Sequence, residues 1–319
     1  MSFINTIDAL GDSVVAAKCL DGTLDEYCDD VLTTLNDEAF YQYKNLIYVD
    51  LPNVTSVDYR SFYQCSSLQS VNLPKVTSVG QDAFRGATSL VNIDLPEAIT
   101  IGKDAFANYQ NSYPQYDSNK LISANLPKVT SIGDSAFYGD INLTTLNAPL
   151  VETVGEYAFY YNCKLTTLDC PLLEEVGAYA FRDCYGMTNV NLPLLKTVGT
   201  RAFTHTSVGA SSTATGYTNV YLPSATSIGI SAFENCGGLL SVDLPVVTEI
   251  KNYAFQYCYK LTELIIRTTT QVAVCGTSIL GSSNNAIIYV PDALVEDYKA
   301  ATNWSSYASR IKGLSELPS

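Results

Sequence analysis

The stretch Leu68-Gln-Ser-Val71-Asn-Leu73-Pro74-Lys-Val76-Thr-Ser-Val79-Gly80-Gln-Asp-Ala83-Phe84-Arg-Gly-Ala-Thr-Ser89 decides the fold, because it recurs. Its phenylalanine belongs to a column of ten: Phe40, Phe62, Phe84, Phe106, Phe137, Phe159, Phe181, Phe203, Phe233 and Phe255. All but two of the intervals are 22 residues, and those two are 31 and 30. From Phe62 onward a proline stands ten residues earlier in every unit, from Pro52 and Pro74 to Pro223 and Pro245. Self-similarity at a fixed period of this size marks a solenoid. One unit cannot bury its apolar side alone, so it stacks on its neighbours.

Within the unit, Val71-Asn72-Leu73 alternates as a strand does, with Ser70 and Asn72 facing away from the core. Pro74 lacks an N–H and should end the ladder. Val76–Val79 forms a second short extended stretch. Gly80 recurs as Gly102, Gly133, Gly155, Gly177, Gly199 and Gly229, which fits a position of positive φ. The Ala-Phe pair then closes the coil with an internal ladder of rings. Ten or eleven such coils stack as parallel strands about 4.8 Å apart.

The beat divides the chain into an N-terminal cap (1–30), repeats (31–266) and a degenerate last coil with a C-terminal cap (267–319). In the first cap, Phe3, Ile7 and Leu10 suit a helix turn that ends at Gly11. In the last, Pro291-Asp292 opens a helix with Leu294, Tyr298 and Ala301 on one face, continued by Trp304, Ala308 and Ile311.

These residues resemble the BspA-type, or Treponema-type, leucine-rich repeat, whose pattern is close to L-x-x-I-x-L-P-x-x-V-T-x-I-G-x-x-A-F-x-x-C-x-x-L. The segment Leu165-Thr-Thr-Leu-Asp-Cys170-Pro-Leu-Leu-Glu-Glu-Val-Gly177-Ala-Tyr-Ala-Phe181-Arg-Asp-Cys184 carries it. The tail from Tyr289 to Trp304 is similar to the capping segment of gut-bacterial members. The resemblance implies a repeat solenoid, mainly β or α/β. It would be a right-handed leucine-rich-repeat coil with a parallel sheet along one side and a helical C-terminal cap. It also implies a cell-surface or extracellular protein that binds host protein, matrix or cells, without catalysis. Similar repeats in phage-encoded proteins make a structural or receptor-binding particle component the alternative.

Composition bounds the chemistry. A net charge of −14 without clustered Lys or Arg argues against nucleic acid as a partner. No run reaches the length of a membrane helix, so membrane insertion is not expected, and Met1–Leu10 lacks the pattern of a secretory signal. Acidic residues from Asp21 to Glu38 suit a solvated cap. Cys65, Cys184, Cys236 and Cys258 stand three residues after their phenylalanines, and Cys170 stands just before a proline. These are core places, and buried thiols act as small hydrophobes. No CxxC spacing supports zinc, so neither metal nor cofactor is expected. Cys19 and Cys28 are a candidate pair in an oxidising setting. A Ser–His–acid triad would have to use His205, the chain's one histidine, which lies in the flexible-looking insertion 204–218. No catalytic residue is assigned.

Two surfaces are candidates for a protein or glycan ligand. Two residues before the prolines stand Asp50, Asn72, Asp94, Asn125, Asn147, Asp169, Asn191, Tyr221 and Asp243, an outward row. A solvated face whose amides bond up the ladder accounts for it; a hydrogen-bonding strip for a glycan or peptide is the functional reading. The second surface is tyrosine-rich. Of 23 tyrosines many follow the Ala-Phe pair, among them Tyr41, Tyr63, Tyr138, Tyr160, Tyr161, Tyr257 and Tyr259. Both insertions, near 107–120 and 204–218, fall on this segment, and the first carries Tyr109, Tyr113 and Tyr116. Insertions on one side of a solenoid often mark its binding side, and tyrosine is a rigid amphipathic contact residue. The bland alternative is tolerated loop growth.

Overall fold

The computed structural model describes residues 25–108, 119–205, 217–283 and 285–318, with the backbone alone at Asn219. The chain is a parallel-strand β-solenoid of about 12 turns. It divides into two compact units, Met1–Val151 with Tyr157–Leu165, and Glu152–Glu156 with Thr166–Ser319. The helix turn expected in the first cap and the partner Cys19 lie outside the described residues.

In the first unit, Glu26–Cys28 pairs with Tyr48–Asp50, which pairs with Ser70–Asn72. Asn92–Asp94, Ser123–Asn125 and Thr145–Asn147 continue in the same sense, each residue matched to its counterpart one repeat on. The second extended stretch makes its own ladder through Ser56–Val57, Ser78–Val79, Thr100–Ile101 and Ser131–Ile132. The second unit repeats the plan. Asn189–Asn191, Asn219–Tyr221, Ser241–Leu244, Glu263–Ile266, Ile287–Val290 and Ile311–Gly313 form one parallel sheet. The strands outrun the phenylalanine column because three of them, Glu263–Ile266, Ile287–Val290 and Ile311–Gly313, follow Phe255.

The proline ends each strand by starting a turn. Val54 N–H donates to Leu51 O at 3.3 Å and Val76 N–H to Leu73 O at 3.3 Å, with Pro52 and Pro74 second in their turns. That place suits the fixed φ of proline. All ten column phenylalanines are buried. Their rings stack 4.9–5.2 Å apart from Phe40 to Phe159 in the first unit. In the second unit they stack 5.3–5.5 Å apart from Phe181 to Phe255.

The glycine column is needed for a different reason from the one expected. None of Gly80, Gly102, Gly133, Gly177, Gly199 and Gly229 has positive φ. A Cβ on Gly199 would lie 2.5 Å from the Gly177 backbone, and one on Gly102 would lie 2.7 Å from that of Gly80. Successive coils touch main chain to main chain there, and only a missing side chain permits it. Positive φ falls two residues before and two after the phenylalanine, as at Arg60 (53°) and Gln64 (55°). Ser61 N–H donates to Asp58 O, and Cys65 N–H to Phe62 O, so each of these residues is third in a tight turn. A type II turn demands positive φ at that place.

The cysteine column is buried as expected, and it has a further role. Cys65 Sγ donates to Phe40 O at 3.0 Å, Cys236 to Phe203 O at 3.3 Å and Cys258 to Phe233 O at 3.2 Å. Asn162 Nδ2 and Ser283 Oγ do the same for Phe137 O and Phe255 O, at 2.7 and 2.9 Å. At these five coils the column supplies a short donor to the preceding phenylalanine carbonyl. Burial pushes the Cys65 and Cys258 thiols up, away from the reactive thiolate. Cys65, Cys170, Cys184, Cys236 and Cys258 are free thiols.

The C-terminal cap departs from one continuous helix. Asp292–Leu294 is 3-10, Val295–Ala300 is α-helical and Trp304–Arg310 is 3-10 again. Asn303, at φ 64°, breaks the helix, and Ile311 joins the sheet as a strand instead of extending a helical face. Trp304 Nε1 donates to Ala273 O at 2.7 Å, and Tyr298 Oη accepts from Ala273 N–H at 3.0 Å, so the cap is buttoned to the last coil.

Candidate functional site

The outward row of Asn and Asp behaves as a ladder of amides. In the first unit Asn147 Nδ2 donates to Asn125 Oδ1 at 2.6 Å, and Asn125 Nδ2 to Asp94 Oδ1 at 2.8 Å. Asn72 Nδ2 donates to Asp50 Oδ1 at 2.8 Å. The stacking of coils brings Asn125 and Asn147 together and engages their amides with each other. In the second unit Asn191, Tyr221 and Asp243 are adjacent in register, and Tyr221 is 56% exposed. Arg267 clasps Asp243 through Nε and Nη2 at 2.8–3.0 Å. Asp169 is exposed on an extended segment outside any strand.

The tyrosine-rich edge is built from stacked phenols. In the first unit Tyr41 and Tyr63 stack at 5.1 Å with 4° between their planes, and Tyr138 and Tyr160 at 4.9 Å. Tyr161 meets Tyr160 edge-on at 4.5 Å. Arginines join them. The Arg60 guanidinium lies 4.7 Å from the Tyr59 ring and 5.1 Å from that of Tyr63, and Arg85 lies 5.8 Å from Tyr63. In the second unit Arg182 and Arg201 flank the Tyr179 ring at 5.6 and 6.0 Å. These cation–π contacts pass unnoticed in a tally of tyrosines. Their signal is in the sequence, because Arg85 and Arg182 take the place next to phenylalanine that Tyr41 and Tyr63 take elsewhere. Tyr109, Tyr113 and Tyr116 lie outside the described residues.

The chain beside each insertion holds a buried ionisable group. In the first unit Asp140 stands in the cysteine column and is fully buried. Asn108 and Asn119, which border the insertion, both donate to Asp140 Oδ1, Asn108 at 2.7 Å. Burial outweighs these two bonds and pushes the Asp140 carboxyl up to about 8. In the second unit His205 is buried, which corrects its reading as part of a flexible loop. Its ring stacks on Tyr185 at 5.4 Å and lies 4.8 Å from Tyr217. Neither ring nitrogen has a hydrogen-bond partner among the described residues, and burial lowers the imidazole to about 4 despite the attraction of Asp183.

That environment has a measurable consequence. A base whose pKa falls from 6.5 to about 4 on folding contributes stability that is full above 6.5 and lost as pH falls through 4. The single imidazole resonance is expected to titrate near 4 by NMR. His205→Phe, which keeps an aromatic ring in the stack, should gain melting temperature relative to the parent as pH falls from 6.5 to 4. A resonance that titrates at 6.5 would show the ring to be solvated.

Among the described residues no cluster of three or more His, Cys, Asp or Glu could hold a metal, and no helix is long and apolar enough to cross a membrane.

A family model described as a BspA-type leucine-rich repeat region of six copies matches residues 28–113, 110–214 and 212–295. No curated protein matches the chain. Among solved structures, a leucine-rich repeat protein from Bacteroides ovatus aligns over 92% of this chain and 84% of its own, at 21% identity and a TM-score of 0.47. A leucine-rich cell surface protein from Faecalibacterium prausnitzii aligns over 91% and 92%, at 18% identity and a TM-score of 0.40. An internalin from Listeria monocytogenes aligns over 85% and 75%, at 14% identity and a TM-score of 0.34.

Proposed function

The chain belongs to the BspA-type leucine-rich repeat family, and from that premise we propose that it is a non-catalytic recognition protein of the cell surface or extracellular space. It binds a host protein, matrix component or glycan through the tyrosine-rich edge of its coils. The observation that carries this reading is the outward stacking of Tyr41 on Tyr63 and of Tyr138 on Tyr160, with Arg60 over the Tyr63 ring. Coil spacing holds these phenols in place before any ligand arrives, so little side-chain entropy is left to lose on binding. The Asn–Asp row supports the choice from the other side, because Asn125 and Asn147 already spend their amides on each other and on Asp94. Catalysis by a Ser–His–acid triad would need an accessible imidazole, whereas His205 is walled between two tyrosine rings.

The test is a screen of the purified chain against host proteins, matrix components and glycans, followed by two variants. Joint substitution of Tyr109, Tyr113 and Tyr116 by Ala is expected to weaken binding of the ligand found by more than about 1 kcal/mol, roughly fivefold. Asn125→Ala with Asn147→Ala is expected to leave it intact. If only the asparagine pair loses affinity, the ligand sits on the strand face and the edge is not the site.

A further inference from the structure

The residue after each proline forms a column whose chemistry changes along the chain. The first unit has Asn53, Lys75, Glu97 and Lys128 there, before Leu150. Lys75 Nζ donates to Asn53 Oδ1, and Lys128 Nζ bridges Glu97 Oε2, both at 2.6 Å. Four coils are thus served by polar residues, and the fold demands nothing apolar at this place. The second unit nevertheless presents Leu172, Leu194 and Val246, which are 37, 41 and 43% exposed. Ser224 is its polar member, donating to Pro193 O at 2.7 Å. Leu172 and Leu194 sit one coil apart, three residues before Glu175 and Thr197, which pair in register. Their side chains are therefore neighbours at about the 4.8 Å strand spacing. Exposed Tyr221 adds an aromatic ring three residues before Ser224. A repeat supplies its own control: the coils of Asn53, Lys75, Glu97, Lys128 and Ser224 fill this place with polar residues, so the aliphatic side chains left in water at Leu172, Leu194 and Val246, as at Leu150 in the first unit (41% exposed), point to a partner.

Charge states what kind of partner. Around the Leu172–Leu194 pair stand Asp169, Glu152 and Glu175, exposed and without an ion-pair partner among the described residues. The nearby lysine, Lys196, is already engaged by Glu174. An anionic glycan, a nucleic acid or an anionic membrane meets repulsion here. A second copy brings the same carboxylates and a further charge of −14.

We propose that the post-proline stripe of the second unit is a docking surface for a protein segment that combines aliphatic anchors with Lys or Arg side chains. The anchors cover Leu172, Leu194 and Val246, while the cations neutralise the flanking carboxylates. This surface lies on a different column from the tyrosine edge and does not depend on it.

The experiment uses the full chain and two panels of synthetic peptides, Leu/Lys and Leu/Glu, each with helical and alternating spacings. Binding is followed by calorimetry at low and moderate salt. At least one Leu/Lys peptide is expected to bind, more weakly as salt rises, and no Leu/Glu peptide. Leu172→Ser with Leu194→Ser, which installs the residue already tolerated at Ser224, should weaken that binding at least tenfold with an unchanged melting curve. Asp169→Asn with Glu175→Gln, the isosteric second variant, should weaken it severalfold. Tyr41→Ala with Tyr63→Ala should leave it unchanged, which separates this surface from the edge. Three outcomes overturn the proposal: no Leu/Lys peptide binds, the serine variant binds as well as the parent, or sedimentation shows a dimer that the serine variant dissolves.

Discussion

Phe84→Ala is expected to lower stability by about 3–5 kcal/mol, read from chemical denaturation. The ring is 1% exposed and stacks on Phe62 at 4.9 Å and on Phe106 at 5.2 Å. The loss therefore has three parts. The transfer energy of the ring goes first, then the cost of a cavity that backbone-bonded coils cannot close, then two ring contacts of about 0.5–1.5 kcal/mol each. Collapse is resisted because Phe84 N–H donates to Ala105 O at 2.7 Å, and Phe62 N–H to Ala83 O at 2.7 Å. Those bonds hold the coil spacing whether or not the ring is present. An unchanged denaturation midpoint would mean that the ladder is not the spine of the core.

What could be read in advance follows from which constraints act through side chains. The phenylalanine, proline and cysteine columns are chemical demands, so they recur as letters, and the coil, its strands and its core are legible from them. Gly199 was legible as a special place but not for its cause, because steric approach and positive φ select the same residue. The left-handed turn positions were not legible at all. They are occupied by Arg60, Asp82, Ser135, Tyr157 and others, since main-chain bonds to the next coil impose the conformation whatever the side chain. The same holds for the candidate site. The surplus of tyrosine is visible in the sequence. The stacking of Tyr41 on Tyr63, and the arginines that lie over the rings, depend on register between coils 22 residues apart. Asp140 could have been found by placing Phe137 in its column and counting three residues, where a carboxylate stands among cysteines.

That carboxylate is also where the largest gain in stability is expected. Asp140→Asn should raise the denaturation midpoint at pH 8 and have little effect near pH 4. The neighbouring coil shows that the change fits, because Asn162 occupies the same column and donates to Phe137 O at 2.7 Å. In Asp140 the Oδ1 atom accepts from Asn108 and Asn119 while Oδ2 is buried without a partner among the described residues. An amide keeps the acceptor and removes the charge. The direction with pH follows from linkage. The unfolded carboxyl ionises near 3.8 and the folded one at about 8, so its contribution is full below 3.8 and is lost as pH rises to 8. Each tenfold weakening of the acid on folding corresponds to about 1.4 kcal/mol, so the variant should be more stable than the parent by at least about 2 kcal/mol at pH 8. The difference between parent and variant should shrink steadily toward pH 4. If it is flat with pH, or if the variant is weaker at pH 8, the carboxylate is held ionised by the amides of Asn108 and Asn119. The chain at the root of the first insertion would then be fastened by a buried charge and not by a buried acid.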